Sequence, residues 1–216
     1  MADKLRAGIV GATGMVGQRF VSLLADHPWF QVVSVAASAR SAGRSYAEAV
    51  GGRWAMTTPV PPAIGALVVK DASQIAEVSE RVDLIFCAVD MPKEDTRALE
   101  VAYAQAETPV VSTNSAHRMT PDVPMLLPEV NPHHLDVIEA QRRRLGVKRG
   151  FITVKPNCSI QSYVPALHPP QRPDSCHNSA GCTTGIDSSI APARFISSRT
   201  IASTLRTMRR PRGIQV

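Results

Sequence analysis

Gly8-Ile9-Val10-Gly11-Ala12-Thr13-Gly14-Met15-Val16-Gly17 stands almost at the N-terminus, after an apolar strand candidate at Ala7 to Val10 and before a segment of helical apolar spacing. Glycines at 11, 14 and 17 let the backbone turn tightly and approach a pyrophosphate, whose charge sits over the free N–H groups of the next helix. Val16, Phe20, Val21, Leu23 and Leu24 supply the apolar spacing of that helix. Strand, glycine turn and helix in this order predict the start of a dinucleotide-binding βαβ unit. An ordinary strand-turn-helix junction is the alternative reading of the same residues.

Alternation of strands and helices continues outward from this turn. Gln31 to Ala37 is a Val-rich strand candidate that ends in Ala37-Ser38-Ala39-Arg40-Ser41-Ala42-Gly43-Arg44. In a doubly wound sheet the loop after the second strand meets the adenosine ribose, and arginine with hydroxyls there favours a 2′-phosphate, so Ser38, Arg40 and Ser41 point to NADP. Tyr46 to Leu67, broken by Gly51-Gly52, Pro59, Pro61 and Pro62, is expected to be an irregular excursion with short strands. Val82 to Val89 predicts a strand, Lys93 to Gln105 a helix and Pro109 to Ser112 a strand. A further helix is expected from Pro132 to Leu145, with Leu135, Ile138 and Leu145 inward and a stop at Gly146, before a strand starting at Phe151. The fold class is therefore α/β, a Rossmann-like doubly wound parallel sheet.

The last of these strands runs into Lys155-Pro156-Asn157-Cys158-Ser159-Ile160-Gln161. A cysteine just after a strand, at a helix N-terminus, has its thiolate favoured by the helix end and becomes a candidate nucleophile. A buried cysteine acting as a small hydrophobe is the other reading. The remaining cysteines, Cys87, Cys176 and Cys182, show no paired CxxC spacing for zinc and read as thiols, and no metal site is expected.

With 216 residues and 44% hydrophobic content the chain can bury a real core. No basic N-terminal segment precedes an apolar run, and no apolar stretch is long enough to span a bilayer, so a cytoplasmic protein without a membrane partner is expected. The net charge of +6 is unevenly placed. Basic residues outnumber acidic ones by only 17 to 16 from Met1 to His168, and by 7 to 2 from Pro169 to Val216. That last stretch has no Lys and no Glu, is dense in Ser, Arg, Pro and Thr, and lacks interleaved aromatics, which argues for a poorly ordered tail and against a nucleic-acid partner.

Four motifs occur together and in order. They are Gly11-Ala12-Thr13-Gly14-Met15-Val16-Gly17, the Ala-Ser-x-Arg-Ser-Ala-Gly stretch at 37–43, Asn-Ser-Ala-His-Arg-Met-Thr-Pro-Asp-Val-Pro-Met-Leu-Leu-Pro-Glu-Val-Asn-Pro at 114–132, and Lys155-Pro156-Asn157-Cys158-Ser159. Over about Lys4 to Leu167 this set resembles the aspartate-semialdehyde dehydrogenases of the archaeal and fungal form. The resemblance implies a reversible, NADP- and phosphate-dependent conversion of L-aspartate 4-semialdehyde to 4-aspartyl phosphate, a step in lysine, threonine and methionine biosynthesis. It implies Cys158 as the thiolate that attacks the aldehyde, with phosphate resolving the acyl-enzyme. Gly11, Thr13, Gly14, Met15, Val16, Gly17, Ser38, Arg40 and Ser41 match the family's cofactor contacts, with Asn157 beside the nucleophile near the nicotinamide and with Cys87 and Ser159 as weaker matches. Asn114 and Arg118 match a phosphate-binding pair, for which guanidinium geometry is suited. Family members are homo-oligomers, a state that is doubtful for this chain.

The chain also departs from the family. A Gln-Ala-Val-Ser-Gly segment, a substrate-binding arginine and an acid-base histidine are expected after the nucleophile and have no match here. The expected organisation is an NADP-binding domain at 1–157, the start of a catalytic or substrate domain at 158–168, and an unrelated basic tail at 169–216, the second domain being largely missing. A reading-frame shift after Leu167 accounts for the change. Residues 173–182 can be encoded so that a shift of one nucleotide reads Pro-Thr-Arg-Val-Ile-Thr-Arg-Gln-Ala-Val. A genuine alternative end or a pseudogene product leaves the same protein sequence. Loss of turnover with retention of NADP binding is then expected. A non-catalytic nucleotide-binding module and an N-acetylglutamyl-phosphate reductase type remain as alternatives, the latter disfavoured by the stretches at 37–43 and 128–132.

Overall fold

Six short parallel strands, largely apolar except at the edge strand Val69–Asp71, build one sheet. The structure is a computed structural model and describes residues 4–167. The tail, its order and the frame-shift expectation lie outside the described residues. In chain order the elements are β1 (Leu5–Val10), α1 (Met15–Leu24), β2 (Phe30–Ala37), α2 (Tyr46–Val50), α3 (Pro62–Gly65), β3 (Val69–Asp71), α4 (Ile75–Ser79), β4 (Leu84–Cys87), α5 (Lys93–Gln105), β5 (Val110–Ser112), α6 (Ile138–Leu145), β6 (Ile152–Val154) and α7 (Cys158–Leu167), with 3-10 turns at Gly51–Arg53 and Pro132–Val137. The strand order β3-β2-β1-β4-β5-β6 reverses direction at the β1/β4 boundary, as in a doubly wound dinucleotide-binding sheet.

Parallel strands need both faces covered, and the burial of β1 and β4 is nearly continuous for that reason. Alternate side chains supply the two cores. Ile9, Leu84 and Phe86 join Val21, Leu24, Phe30 and Tyr46 on one face. Val10, Ile85 and Cys87 join Val78, Tyr103, Ala104, Val110 and Ile152 on the other. Phe86 stacks on Phe20 with ring centroids 5.0 Å apart and meets Phe30 edge-on at 5.7 Å, which locks α1 and β2 against β4.

Three expectations are corrected. Tyr46 to Leu67 holds no strand. It forms α2, a 3-10 turn and α3, because Ser45 and Glu48 make a reciprocal capping box (Glu48 N donates to Ser45 Oγ at 3.3 Å, Ser45 N to the Glu48 carboxylate at 3.1 Å) and Pro62 occupies the first turn of α3. In α1, Val16 and Leu23 lie outward at 49% and 40% exposure, and the inner face is Gly17, Gln18, Val21 and Leu24. The expected single helix from Pro132 begins as a 3-10 turn and becomes α6 only at Ile138, with Leu135 and Leu145 half-buried. Its end at Gly146 is as expected, with a left-handed residue closing onto the Arg142 carbonyl. β3 and α4, too short for a periodic signal, complete the sheet edge and one covering layer.

Candidate dinucleotide and thiol site

Every strand of a parallel sheet ends on the same side, so the loops after β1, β2, β4, β5 and β6 share one edge, and the candidate residues lie on these loops or on the strand and helix ends that flank them. The glycine turn hangs from β2, since Gly11 N and Ala12 N both donate to the Ala36 carbonyl (2.9 and 3.0 Å). Gly11 has φ +83°, and a Cβ there would meet the Ala88 carbonyl oxygen at 2.4 Å. A Cβ on Gly17 would stand 2.1 Å from the Gly11 carbonyl oxygen, so helix α1 packs on the turn only through glycine. Gly14 differs: a Cβ there meets nothing nearer than the Gly11 carbonyl oxygen at 3.5 Å. The fold has no need of a glycine at 14. Gly14 is the N-cap of α1 with extended backbone and no side-chain cap, which leaves the first N–H groups of that helix uncovered. Gly14, Met15 and Val16 are exposed, while Thr13 is half-buried. Tyr46 and Gln18 brace the turn from beneath, the phenol donating to Ala12 O (2.9 Å) and the amide to Thr13 O (3.0 Å).

After β2, Ser38 and Arg40 are exposed and Ser41 is buried, with Ser41 N donating to the Ser38 carbonyl in a tight turn. Cys87, at the end of β4, is fully buried. Burial pushes its thiol well above the ordinary range, and the neighbouring Glu100 carboxylate pushes it further.

Asn157 and Cys158 follow β6. Asn157 Oδ1 accepts from Ser159 N (2.9 Å) and lies 3.8 Å from Cys158 Sγ, so Asn157 caps the first turn of α7 and holds Cys158 at its head. Asn157, Cys158 and Ser159 are exposed. Arg118 reaches the same corner from the β5 loop, its guanidinium donating to the carbonyls of Lys155 (3.2 Å) and Pro156 (3.4 Å). Lys155, a motif residue with no role assigned from sequence, stands there too. Burial and the Arg118 charge hold its ammonium below the usual lysine range, opposed by the Cys158 sulfur. Arg118, Lys155 and Cys158 are therefore one electropositive corner around an exposed thiol. Asn114, by contrast, is directed inward through its amide nitrogen, which donates to Glu100 Oε1 (2.9 Å) and towards Cys87 Sγ (3.6 Å).

Glu100 and His117 are the site residues that sequence reasoning missed. Glu100 lies on the inner face of α5 with Thr96, Tyr103 and Ala104, and an acidic residue on the core stripe of an amphipathic helix was the available signal. His117 Nδ1 pairs with Thr120 Oγ1 at 3.1 Å, and its Nε2 faces Glu100 Oε2 at 3.9 Å. Burial lowers the affinity of His117 for a proton, and the Glu100 charge works in the opposite direction. Among the described residues no cluster of His, Cys, Asp and Glu is arranged to hold a metal ion, and no helix is long and apolar enough to cross a membrane.

The family model for "Semialdehyde dehydrogenase, NAD binding domain" matches residues 6–138. The chain belongs to this semialdehyde dehydrogenase family. Among curated relatives, the aspartate-semialdehyde dehydrogenase of Archaeoglobus fulgidus is 41% identical over 162 residues, covering 75% of this chain and 45% of the relative. That of Aspergillus fumigatus is 40% identical over 157 residues, covering 73% and 42%. The solved aspartate-semialdehyde dehydrogenase of Candida albicans with NADP superposes with a TM-score of 0.67 at 36% identity, over 76% of this chain and 46% of that one. The chain thus spans less than half the length of the relatives it matches.

Proposed function

We propose that the chain carries the NADP-binding part of an aspartate-semialdehyde dehydrogenase together with its nucleophilic thiol. Residues 1–157 form the cofactor part, and the catalytic part begins at Cys158. The observation that carries this reading is an exposed Cys158 at the head of α7, on the strand-end edge that also holds the glycine turn, in a chain about 40% identical to enzymes of that name. The glycine turn fits the cofactor because Gly14 leaves open a space over the α1 N-terminus that the fold itself does not use. Gly11, Thr13, Gly14, Met15, Val16 and Gly17 would hold the pyrophosphate. Ser38, Arg40 and Ser41 would hold the ribose 2′-phosphate, while Asn157 and Ser159 would line the nicotinamide side; the Cys87 side chain, expected there from the motif match, is sealed in the core instead and would not touch the cofactor.

NADP supplies a hydride acceptor when bound. Cys158 Sγ, as thiolate, bonds to the aldehyde carbon of L-aspartate 4-semialdehyde, with Lys155 and Arg118 offsetting the negative charge. Once the carbon is at the acyl level, phosphate held by Arg118 and Asn114 attacks it. The carbon–sulfur bond breaks, aspartyl phosphate leaves and the thiolate returns.

The test is NADPH titration of the purified chain together with phosphate-dependent NADPH formation from aspartate semialdehyde, in the wild type and in Cys158→Ser. NADPH binding should survive the substitution, and any turnover should vanish with it. Failure to bind NADPH, or turnover indifferent to the substitution, overturns the reading. Turnover of N-acetylglutamyl semialdehyde in preference to the aspartyl compound overturns the substrate assignment alone.

A further inference from the structure

A glycine turn cradles an anion only while its carbonyl oxygens point away from it, because each oxygen is the negative end of a peptide dipole. The carbonyls of Gly11, Ala12 and Thr13 each have a donor. Gly11 O accepts from Gly14 N (3.1 Å), Ala12 O from the Tyr46 phenol (2.9 Å) and Thr13 O from the Gln18 side-chain amide (3.0 Å). The first bond is internal to the turn, and the other two come from buried side chains on α2 and α1. Gln18 shares the inner face of α1 with Val21 and Leu24, where an apolar residue would serve packing alone. Its orientation is set entirely by backbone groups. Nε2 also donates to Arg53 O (3.0 Å), and Oε1 accepts from Ala55 N (2.8 Å). Turning the amide over would set its oxygen against two carbonyls and its nitrogen against an N–H, and none of these partners titrates. The Thr13–Gly14 peptide is thereby held at both ends, its oxygen by Gln18 and its N–H by Gly11 O. Without the amide that peptide is free to rotate, since a glycine at 14 accepts the backbone change at no steric cost.

We propose that Gln18 and Tyr46 are positioning residues for the cofactor's diphosphate, which keep the Thr13 and Ala12 carbonyls turned inward so that the turn meets the diphosphate with N–H groups and no oxygen. The inference rests on the reading of the glycine turn as the NADP site and goes beyond it to the two side chains that give the turn its polarity. Neither side chain touches the cofactor; each acts through one peptide of the turn. Gln141 provides a control inside the same fold. It is also fully buried, and its amide makes the same three kinds of bond, donating to Asp122 O (2.8 Å) and Ile152 O (3.0 Å) and accepting from Ile152 N (2.6 Å), with β6 and not the glycine turn as its anchor.

The experiment titrates two ligands onto the full chain at neutral pH. One is NADPH; the other is adenosine 2′-phosphate, which carries the ribose phosphate and no diphosphate. Wild type is compared with Gln18→Met, Tyr46→Phe and Gln141→Met, and the thermal midpoint of each is recorded. Gln18→Met and Tyr46→Phe should each weaken NADPH about tenfold or more, the scale of hydrogen bonds to a charged group, and leave the affinity for adenosine 2′-phosphate unchanged. Gln141→Met should lower the midpoint as Gln18→Met does and leave NADPH affinity at the wild-type level. Absence of NADPH binding in wild type overturns the cofactor reading and the inference with it. With wild-type binding intact, an undiminished NADPH affinity in Gln18→Met or Tyr46→Phe overturns the inference alone. An equal loss in Gln141→Met, or a parallel loss for adenosine 2′-phosphate, also overturns it, since either result reduces the two residues to support of the fold. Should Gln18→Met fail to fold, Tyr46→Phe, which removes a single hydroxyl, still decides.

Discussion

Substituting alanine separately at Gly14 and Gly17 should divide the glycine turn into a part made for the fold and a part made for the ligand. At Gly17 the new methyl would lie 2.1 Å from the Gly11 carbonyl oxygen and 2.7 and 2.8 Å from backbone atoms of Ala12, none of which belongs to a flexible side chain. Forced overpacking of this kind costs roughly 1–3 kcal/mol or more, a large share of a total stability of about 5–15 kcal/mol. At Gly14 the nearest atom is 3.5 Å away and the backbone, φ −75° and ψ 163°, suits any residue. Alanine is a poorer N-cap than glycine by about 0.5–1 kcal/mol, and restricting the unfolded chain returns about 0.4–1 kcal/mol. Gly14→Ala should therefore unfold within about 1 kcal/mol of wild type. The same methyl would fill the approach to the α1 N-terminus, and NADPH affinity should fall by about tenfold or more, equivalent to about 1.4 kcal/mol. Denaturant midpoints and NADPH fluorescence titration of both variants decide the matter. Wild-type affinity in Gly14→Ala, or a wild-type midpoint in Gly17→Ala, would refute the division.

Cys158 should react with iodoacetamide on the order of a hundred times faster than Cys87, because the first is exposed and the second is sealed in the core with its thiol pushed up by burial and by Glu100; peptide mapping by mass spectrometry measures both rates, and comparable rates would show that β4 opens. Glu107 should make stability depend on pH. Burial, the largest single effect, raises its proton affinity, but its carboxylate accepts the N–H groups of Lys148, Arg149 and Gly150, which together with the Arg142 charge outweigh it, and the net shift is downward. A carboxyl held lower in the folded state than its unfolded value of about 4.3 contributes stability above that pH and loses it as the pH falls through the folded value. Glu107→Gln should thus lower the thermal midpoint at pH 7 and converge on wild type in acid; a constant gap across that range would argue against the assignment.

Much of this fold is readable from the sequence because its signals are local. The glycine turn, the capped stop at Gly146 and the whole of Lys93–Gln105 follow from residue types within one element. What resisted reading depends on partners far along the chain. Gln18 is buried because its amide bridges Thr13, Arg53 and Ala55, a reason invisible in the periodicity of α1. β3 has three residues and is a strand only through its pairing with Val35 to Ala37. The capping box of Ser45 and Glu48 was available in the sequence, but the glycines and prolines around it obscured two short helices. At the site, the motif residues bring Cys158, Asn157 and Arg118 together as local spacing alone could not, since Arg118 meets Lys155 and Pro156 across 37 and 38 residues.

Glu100 carries the strongest argument that this edge of the sheet is shaped for chemistry beyond packing. A buried carboxylate is expensive unless its oxygens are satisfied, and here one oxygen accepts from Ser112 and Asn114 while the other faces an equally buried His117 without a hydrogen bond. An apolar residue at position 100 would relieve the burial of charge on the inner stripe of α5. It would also remove the acceptor that ties Ser112, at the end of β5, to Asn114, at the start of the loop leading to Arg118. What that acceptor fixes is the direction of a single amide on a loop otherwise held by Thr113, whose backbone and hydroxyl both donate to the Cys87 carbonyl.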